Sequence, residues 1–345
     1  MRVGLTYNVK KELPQREELE HRPLDFYAEW DDLETIEAIR HALAQKHEVI
    51  LIEANEHAFQ TLQEEKPDIV FNIAEGMRGV SREAHIPAML EFLRIPYTGS
   101  DPLTLSLCLD KVRCKEILSY HHLPTPRFKV LTSANGNGSK KFLRYPLLVK
   151  PCHEGSSKGI HNNSLVYDAK ELLSKVKSIF RDYHQPALAE EFLEGREFTV
   201  ALLGNGRDVK VLPIIELDFD QLPPDANRIY SFEAKWVWDT VDSPLKIFKC
   251  PAEIDEELEM LIKNTAIRAY RIMRCRDWCR IDIRLDSYGT PCILELNPLP
   301  GILPRPENNS CFPKAARATG MEYDQLILEV LHTACRRYGI FYEQM

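Results

Sequence analysis

The stretch RIDIRLDSYGTPCILELNP, residues 280–298, predicts two β-strands joined by a tight turn. The turn-forming residues are Asp286–Gly289, and a two-residue loop between the strands places Asp282 opposite Ile293. Side chains alternate between the two faces of a strand, so each face of this hairpin has its own character. One face is mostly polar and carries Arg280, Asp282, Ile293, Glu295 and Asn297. The other face is apolar, is predicted to pack into a core, and carries Ile281, Ile283, Leu285, Leu294 and Leu296.

The polar face predicts a site for a hard metal ion. Asp282 and Glu295 are diagonal neighbours in this register, with backbones roughly 7–8 Å apart, a gap that their side chains can close around an ion. Together with the amide of Asn297 they offer the oxygen ligands that suit Mg²⁺, which takes its remaining ligands from water and phosphate. The alternative is a solvated sheet face with alternating charges. The rest of the sequence helps to decide between a metal site and a solvated face.

Length and composition restrict the classes of protein. A chain of 345 residues is long enough for two or three domains, and 44% hydrophobic with 28% charged residues is ordinary for a soluble globular protein. The net charge of −8 and the pI near 5.8 argue against a nucleic-acid partner. No apolar run approaches the roughly 20 residues that span a bilayer, and MRVGLTYNV lacks a signal-peptide pattern. We therefore expect a cytoplasmic protein without a membrane partner, whose nine cysteines are reduced.

The first hundred residues alternate between strand and helix. RVGLTY, EVILIE and DIVFNI are short apolar strands, and DDLETIEAIRHALAQK is a helix with Asp31 or Asp32 available as its N-cap. The apolar face of that helix carries Leu33, Ile36, Ile39 and Leu43. This order is typical of a parallel sheet covered by helices. Residues 9–30 are polar, and their pattern does not determine a structure.

A strand that ends in a lysine precedes a loop of small residues in PLLVKPCHEGSSKGI. Lys150 lies at the end of the strand, and the loop Glu154–Gly159 is rich in glycine and serine. Small residues let backbone N–H groups approach an anion, and the lysine adds a fixed positive charge. This stretch alone fits a phosphate-binding loop and a simple turn about equally. NGNGSKK, at residues 135–141, fits no phosphate-binding motif and is interpreted as a surface loop without function.

Six stretches in this order resemble the ATP-grasp superfamily and, within it, the D-alanine–D-alanine ligases. They are PYTGSD…LDK (96–111), LLVKP…EGSS.G (147–159), EEFLEGREFTV (190–200), FEAKW (232–236), RIDIRLD (280–286) and LELNPLPG (294–301). Each is weak alone, and together they make the resemblance specific over residues 68–345. The resemblance implies an α/β fold, with α+β character in the ATP-binding part. It implies an N-terminal parallel α/β domain at 1–103, a small ATP-grasp lobe at 104–190 and a C-terminal lobe at 191–345.

The resemblance also implies roles for the matching residues. ATP contacts would come from Lys111, Lys150, Ser156, Ser157, Glu190, Glu191, Phe192, Leu193, Glu197 and Lys235. In that set the lysines and serines would face the phosphates, Glu190–Leu193 the adenine, and Glu197 the ribose. Asp282, Glu295 and Asn297 would bind two Mg²⁺ ions, with Mn²⁺ as a substitute. Arg280, Lys235 and Ser156 would act at the reacting centre. A homodimer is also consistent with the family.

The chemistry of these side chains agrees with the resemblance. A carboxylate is a poor acylating group, so ATP must convert it to an acyl phosphate before an amine attacks. Phosphoryl transfer needs metal ions and cations to neutralise the transferring oxygens. Amine attack then creates an oxyanion, for which Arg280 is a suitable donor. The acyl phosphate is hydrolysable, so a loop such as residues 154–159 would serve as a lid against water.

Several positions depart from the family pattern. The family has a glycine-rich N-terminal segment, a histidine and a tyrosine where this chain has TYNVKKELPQREELE, Glu75 and Trp236. The loop from Gly301 to Ser310 is a few residues longer and contains Arg305. Glu75, Arg280, Gly301, Arg305 and Ser310 are therefore candidate substrate residues. ATP handling is predicted to be intact and both substrate sites to be rebuilt.

Three functions follow as hypotheses. The leading one is an ATP-dependent carboxylate–amine ligase that forms an amide or peptide bond and acts on an amino acid or small peptide. The second is D-alanine–D-alanine ligase activity itself, with a divergent first-substrate pocket. The third is a catalytically inactive ATP-binding sensor or scaffold, which the complete set of phosphate and metal residues disfavours.

Overall fold

The computed structural model describes residues 1–10, 23, 25, 27–133, 143–240 and 242–341. Its first sheet is parallel, in the order β2-β1-β3, and is built from β1 (Arg2–Tyr7), β2 (Glu48–Glu53) and β3 (Ile69–Asn72). Helices α1 (Leu33–Ala44) and α2 (Ala58–Glu65) connect the strands. The predicted surface loop at residues 135–141 and most of residues 9–30 lie outside the described residues.

Helix α1 begins where its capping residue predicts. Asp32 is the N-cap and accepts a hydrogen bond from the backbone N–H of Thr35 at 2.8 Å. Ile36, Ile39 and Leu43 are buried against the first sheet, as the helical spacing predicts. Leu33, which the same pattern places on that face, is 68% exposed because it is the first residue of the helix.

Three helices lead from the first sheet to the second. They are α3 (His85–Leu93), α4 (Pro102–Leu109) and α5 (Lys111–Tyr120). The second sheet is antiparallel, in the order β4-β7-β5-β6, and is built from β4 (Phe128–Leu131), β5 (Leu147–Pro151), β6 (Leu165–Val166) and β7 (Ala187–Glu191). Helix α6 (Ala169–Tyr183) packs Val176 and Ile179 against this sheet.

The third sheet is antiparallel and has the order β11-β10-β8-β12-β13, with β9 paired to β8. Its strands are β8 (Glu197–Leu203), β9 (Lys210–Val211), β10 (Ile215–Leu217), β11 (Phe248–Lys249), β12 (Trp278–Leu285) and β13 (Pro291–Asn297). A turn of π-helix at Ala234–Trp238 precedes β11, and helix α7 (Glu256–Ile272) covers the sheet. Helices α8 (Cys311–Arg317) and α9 (Tyr323–Tyr338) follow the third sheet. Helix α9 packs on α1, and α8 packs on α9 and on β8.

The β12–β13 hairpin forms as predicted, but its register is different. Asp282 lies directly opposite Glu295, and Ile283 lies opposite Ile293, because a β-bulge at this point leaves Leu294 as an extra residue. The bulge swaps two side chains between the faces. Ile293 is fully buried in the core with Ile283, whereas Leu294 borders a cavity. The predicted face of Ile293 and Leu294 is therefore wrong, and that of the charged residues is confirmed.

The parallel first sheet and the two antiparallel sheets confirm the predicted α/β architecture. The domain limits at residues 103 and 190 stay predictions, although each of the three segments contains one sheet apart from the last residue of β7. In the described part of the chain, no helix is both long enough and apolar enough to cross a membrane.

Candidate active site

One cavity is lined by residues of the second and third sheets, by residues that follow strands β1 and β3 of the first sheet, and by the segment that follows β13. Most of the predicted site residues form its wall: Glu75, Lys150, Ser156, Ser157, Glu190, Glu191, Phe192, Leu193, Glu197, Lys235, Arg280, Asp282, Glu295, Asn297, Gly301 and Ser310. Residues separated by more than 230 positions in sequence therefore meet at one place. Lys111 and Arg305 do not line the cavity.

The polar face of β12 and β13 brings oxygen donors together. The Asn297 amide lies 3.3 Å from an Asp282 carboxylate oxygen, and Glu295 stands opposite Asp282 across the strand pair. Arg280 donates to both carboxylate oxygens of Asp282, at 3.0 and 3.1 Å, and Thr199 donates to one of them at 2.7 Å. Two carboxylates and an amide oxygen fit a hard divalent cation such as Mg²⁺.

Lys111 connects this face to the glycine- and serine-rich loop. Its ammonium nitrogen lies 3.2 Å from a Glu295 carboxylate oxygen and donates to the backbone carbonyl of Glu154 at 2.6 Å. The side chain is 4% exposed, so its charge acts on the cavity from just behind the wall.

Two lysines share a buried carboxylate at the ends of β5 and β7. Glu190 lies 2.9 Å from the nitrogen of Lys150 and 2.6 Å from that of Lys115. Burial alone would raise the pKa of Glu190, but the two ammonium groups outweigh it and lower that pKa to about 2. Glu190 and Lys150 are therefore both ionised at neutral pH. Lys115 is a residue that the sequence analysis missed.

Arg284 is a second missed residue, and it holds Glu197. Its guanidinium lies 2.9 Å from the Glu197 carboxylate, donates to the carbonyl of Gly195 at 3.1 Å and stacks 4.4 Å from the ring centre of Phe192. Burial raises the pKa of Glu197, and the guanidinium opposes that rise. Arg280, Asp282 and Arg284 follow one another at every second position of β12 and therefore point to the same face. The same alternation that predicted the first two residues could have predicted Arg284.

The loop after β5 is held in an uncommon backbone conformation. Ser156 and Ser157 have backbone φ angles of 49° and 60°, in the left-handed region that residues other than glycine seldom adopt. Trp236 donates from its indole to the carbonyl of Ser156 at 3.1 Å, and the Ser157 hydroxyl donates to the carbonyl of Tyr230 at 3.0 Å. The loop therefore rests on the segment that carries Lys235, whose nitrogen lies 3.5 Å from the Ser156 hydroxyl.

Lys235 is a cation in an unfavourable environment. Burial, reinforced by the nearby Arg280, lowers the pKa of its ammonium group to about 8. An anion such as a phosphate would relieve both effects, because it would replace lost water and offset the guanidinium charge.

The other side of the loop is tied to residues before α1. Glu29 accepts a hydrogen bond from the N–H of Gly155 at 2.6 Å and pairs with Arg82 at 2.5 Å and Lys158 at 3.1 Å. Those two cations and the backbone donor outweigh its burial and lower the pKa of Glu29 to about 2. Gly155 and Lys158 belong to the predicted loop, but Glu29 and Arg82 were not predicted. Glu29 lies in residues 9–30, whose pattern does not determine a structure.

The segment after β13 supplies Gly301 and Ser310. The Ser310 hydroxyl donates to the carbonyl of Gly301 at 3.0 Å and accepts from the N–H of Leu303, so the segment closes on itself beside the cavity. Arg305 lies outside this turn, is about half exposed, and pairs with Glu34 of α1. The structure therefore does not place Arg305 where it would meet a substrate. Glu75, by contrast, faces the cavity.

Comparison with known proteins agrees with this arrangement. Residues 117–332 match the family model described as the D-ala D-ala ligase C-terminus. The uncharacterized protein y4sG of Sinorhizobium fredii is 38% identical over 85% of this chain and 84% of its own length. The D-alanine–D-alanine ligase of Bordetella pertussis is 35% identical over 84% of this chain and 88% of its own. A crystal structure of the D-alanine–D-alanine ligase of Bacillus anthracis complexed with ATP superposes with a TM-score of 0.70 at 24% identity, covering 98% of this chain and 99% of that one, which establishes the shared fold.

Proposed function

Because this chain belongs to the D-alanine–D-alanine ligase family of ATP-dependent ligases, we propose that it joins an amino acid or small peptide to a second amine through an acyl phosphate. The observation that carries the proposal is the composition of the cavity wall. Lys150, Lys235 and Arg280 line the same space as the oxygen donors of Asp282, Glu295 and Asn297. Cations together with hard oxygen ligands are what phosphoryl transfer requires.

ATP would occupy the space between the second and third sheets. Lys150 and Lys235 would contact its phosphates, with Ser156 and Ser157 closing over them. Lys111, also predicted at the phosphates, would add its charge from just behind the wall. Glu190, Glu191, Phe192 and Leu193 would line the adenine pocket, and Glu197 would accept hydrogen bonds from the ribose hydroxyls. The buried Lys150–Glu190 pair supports this assignment, because it holds a charged ammonium at a fixed place in the wall.

Asp282, Glu295 and Asn297 would hold two Mg²⁺ ions, for which Mn²⁺ would substitute. The fit rests on their oxygen chemistry and on the 3.3 Å contact between Asn297 and Asp282. Bound magnesium would supply neutralisation of charge on the phosphate oxygens. Arg280 and Lys111 engage the same carboxylates, which keeps the buried acids paired.

The reaction follows from these assignments. A carboxylate oxygen of the donor attacks the γ-phosphorus of ATP, ADP leaves, and an acyl phosphate forms. The amine of the acceptor then attacks the acyl carbon, and Arg280 stabilises the resulting oxyanion until phosphate leaves. Gly301 and Ser310 would contact the acceptor. The loop at Ser156 and Ser157 would exclude water from the acyl phosphate.

Synthesis of D-alanyl-D-alanine itself is the second candidate, and the names of the Bordetella relatives favour it. Glu75 and Trp236, which replace the family's histidine and tyrosine, weigh against it. We include in the proposal the homodimer that the resemblance implies, which light scattering coupled to size exclusion measures directly.

The test is a screen for ADP release with amino acids and dipeptides of both chiralities, with products identified by mass. We expect ADP release that depends on an added amino acid and a product whose mass is the sum of its two substrates less one water. A protein that binds ATP but releases no substrate-dependent ADP would be a sensor or scaffold, and the proposal would be wrong.

A further inference from the structure

Three carboxylates of the cavity wall lack the cation that the others have. Seven acidic residues of the wall each form an ion pair with a lysine or arginine: Glu29, Glu154, Glu190, Glu191, Glu197, Asp282 and Glu295. For Asp31, Glu75 and Glu83, no side-chain hydrogen bond or ion pair links the carboxylate to another residue within the described ranges. The imbalance is confined to one side of the cavity.

Those three residues lie at the carboxyl edge of the parallel first sheet. Asp31 is bridged to Val9, just beyond the end of β1, and Glu75 and Glu83 follow the end of β3. In open α/β sheets this edge is where ligands bind. Glu83 is 8% exposed, and it borders the cavity with its carboxylate unpartnered. A side chain so placed is the kind of group that a ligand completes.

Arg82 and Lys111, the cations nearest to Glu75 and Glu83, are already paired with other carboxylates. Arg82 pairs with Glu29 and Glu154 and donates to the carbonyl of His153, and Lys111 is held by Glu295 and Glu154. Lys10 lies near Asp31 without forming an ion pair. The carboxyl groups of Glu75 and Glu83 are therefore left without a paired cation within the described ranges.

The electrostatics of the three acids agree with this account. Burial, and then the charges of Glu83 and Glu29, raise the pKa of Glu75 well above its usual range. Burial raises the pKa of Glu83 to about 8 and that of Asp31 to about 7. Carboxylates that repel one another in this way ionise together only when a cation joins them.

We propose that Glu75 and Glu83, supported by Asp31, form a subsite for a cationic side chain on the donor amino acid. This inference rests on the proposed ligase function and names its donor as a basic amino acid. The α-ammonium group of an amino acid carries one positive charge. The three carboxyl groups of this wall can accommodate a second positive charge, which a basic side chain would supply. Gly301 and Ser310, which we assign to the acceptor, belong to a different segment of the wall, so the acidic side serves the donor.

The test isolates the donor by replacing the acceptor with hydroxylamine. The donor carboxylate displaces ADP from ATP to form the acyl phosphate. The nitrogen of hydroxylamine then displaces phosphate from the acyl carbon and loses a proton to the buffer, which leaves a hydroxamate. The rate of hydroxamate formation is measured for ornithine, lysine, norleucine and alanine in both chiralities. Norleucine is the matched control, because it keeps the carbon chain of lysine and lacks the ammonium group.

We expect kcat/KM for the better basic donor to exceed that for norleucine by at least about tenfold. Glu83→Gln and Glu75→Gln should each reduce that ratio by about tenfold, since they preserve shape and remove charge. Glu56→Gln, on the exposed surface of the same domain, should leave the ratio unchanged. Measuring a ratio within one variant separates a lost subsite from a partly unfolded preparation.

Three results would overturn the inference. If alanine or norleucine reacts and no basic donor reacts faster, the ligase function stands and the cationic subsite is wrong. The same holds if both Glu→Gln variants lower the rates with lysine and norleucine equally. If none of these donors yields hydroxamate while the wider screen of amino acids and dipeptides releases ADP, the subsite is wrong and the ligase function stands. If the wider screen also releases no ADP, both fail.

Discussion

The ammonium nitrogen of Lys150 lies 2.9 Å from the carboxylate of Glu190, and both side chains are buried. The strand pairing sets this contact, because β5 and β7 are antiparallel neighbours with Leu148 opposite Glu190. The pair gives Lys150 two functions. It directs a positive charge toward the cavity, and it neutralises an acid inside the fold together with Lys115.

Lys150→Met should weaken ATP binding and also destabilise the protein. The sequence alone predicts a small effect on stability, because methionine replaces an amphipathic stem with an apolar one. The structure predicts a loss of about 3 kcal/mol, since Glu190 would keep only one of its two cations in a buried site. Urea unfolding measures the loss of stability, and calorimetry measures the loss of ATP affinity. Lys177→Met, at an exposed site of α6, is the control. Unchanged ATP affinity in Lys150→Met would remove this lysine from the nucleotide site.

Glu295→Gln should reduce kcat by at least about 100-fold while the fold survives. The substitution keeps the size of the side chain and removes a charge from the proposed metal ligands. Lys111 would still donate to the carbonyl of Glu154, so its charge stays anchored. ADP release is measured across a magnesium titration, with Glu257→Gln on the exposed face of α7 as the control. Activity near that of the native protein at saturating magnesium would exclude the hairpin from the reaction.

Activity should fall on the alkaline side as Lys235 loses its proton. Burial lowers the pKa of this lysine to about 8, so in the nucleotide-free protein its charge is present at pH 7 and mostly lost at pH 9. Because the charged form is the one that attracts a phosphate, kcat/KM for ATP should decline as pH rises through about 8. Lys235→Arg should remove this decline, since arginine stays protonated in this range.

Glu83, whose pKa is also near 8, is the competing source of such a pH profile. The profile of Glu83→Gln therefore distinguishes the two groups. A decline that persists in Lys235→Arg and disappears in Glu83→Gln would assign the titration to the acid.

Arg284 should act as a positioning residue for Glu197. Arg284→Met would leave Glu197 buried without its cation at 2.9 Å, so the carboxylate would be protonated or displaced. We expect KM for ATP to rise while kcat at saturating ATP changes little. The native preference for ATP over 2′- or 3′-deoxy-ATP should shrink, and Arg284→Lys should restore part of it. An unchanged preference would contradict the role of Glu197 at the ribose.

Local patterns predicted the parts of the site that lie within one strand or one loop. The alternation in β12 places Arg280 and Asp282 on one face, and the strand before Gly155 delivers Lys150. The bulge at Leu294 was not predicted, because the alternation of side chains along a strand assumes that its pairing with the next strand is uninterrupted. It brings Asp282 directly opposite Glu295 and turns Leu294 toward the cavity.

Contacts between distant segments were not predictable from pattern. Glu29 reaches Gly155 across 126 positions, and Arg305 finds Glu34 across 271. Such pairs depend on how the first sheet and its helices approach the rest of the chain, which no local spacing encodes. The acids at Asp31 and Glu83 were missed for the same reason, because their significance lies in the cations that are absent around them.

The protein should be a poor D-alanine–D-alanine ligase. Glu75 stands in the cavity wall where the family carries a histidine, and the acids beside it offer carboxyl groups that a methyl side chain does not use. Arg305 no longer contributes to this argument, because it pairs with Glu34 on the surface. We expect kcat/KM for D-alanine at both positions to be at least about tenfold below that of the best substrate pair.

Glu75→His tests the cause of that difference, because it restores the residue that the family carries. If the carboxylate disfavours D-alanine, this variant should raise kcat/KM for D-alanine and lower it for a basic donor, and Glu56→His should change neither. The two shifts in opposite directions matter, since a general loss of folding would lower both. If D-alanine already gives the highest value in the native protein, the departures at Glu75 and Trp236 do not alter specificity. The chain would then be a D-alanine–D-alanine ligase with an unusual N-terminal segment.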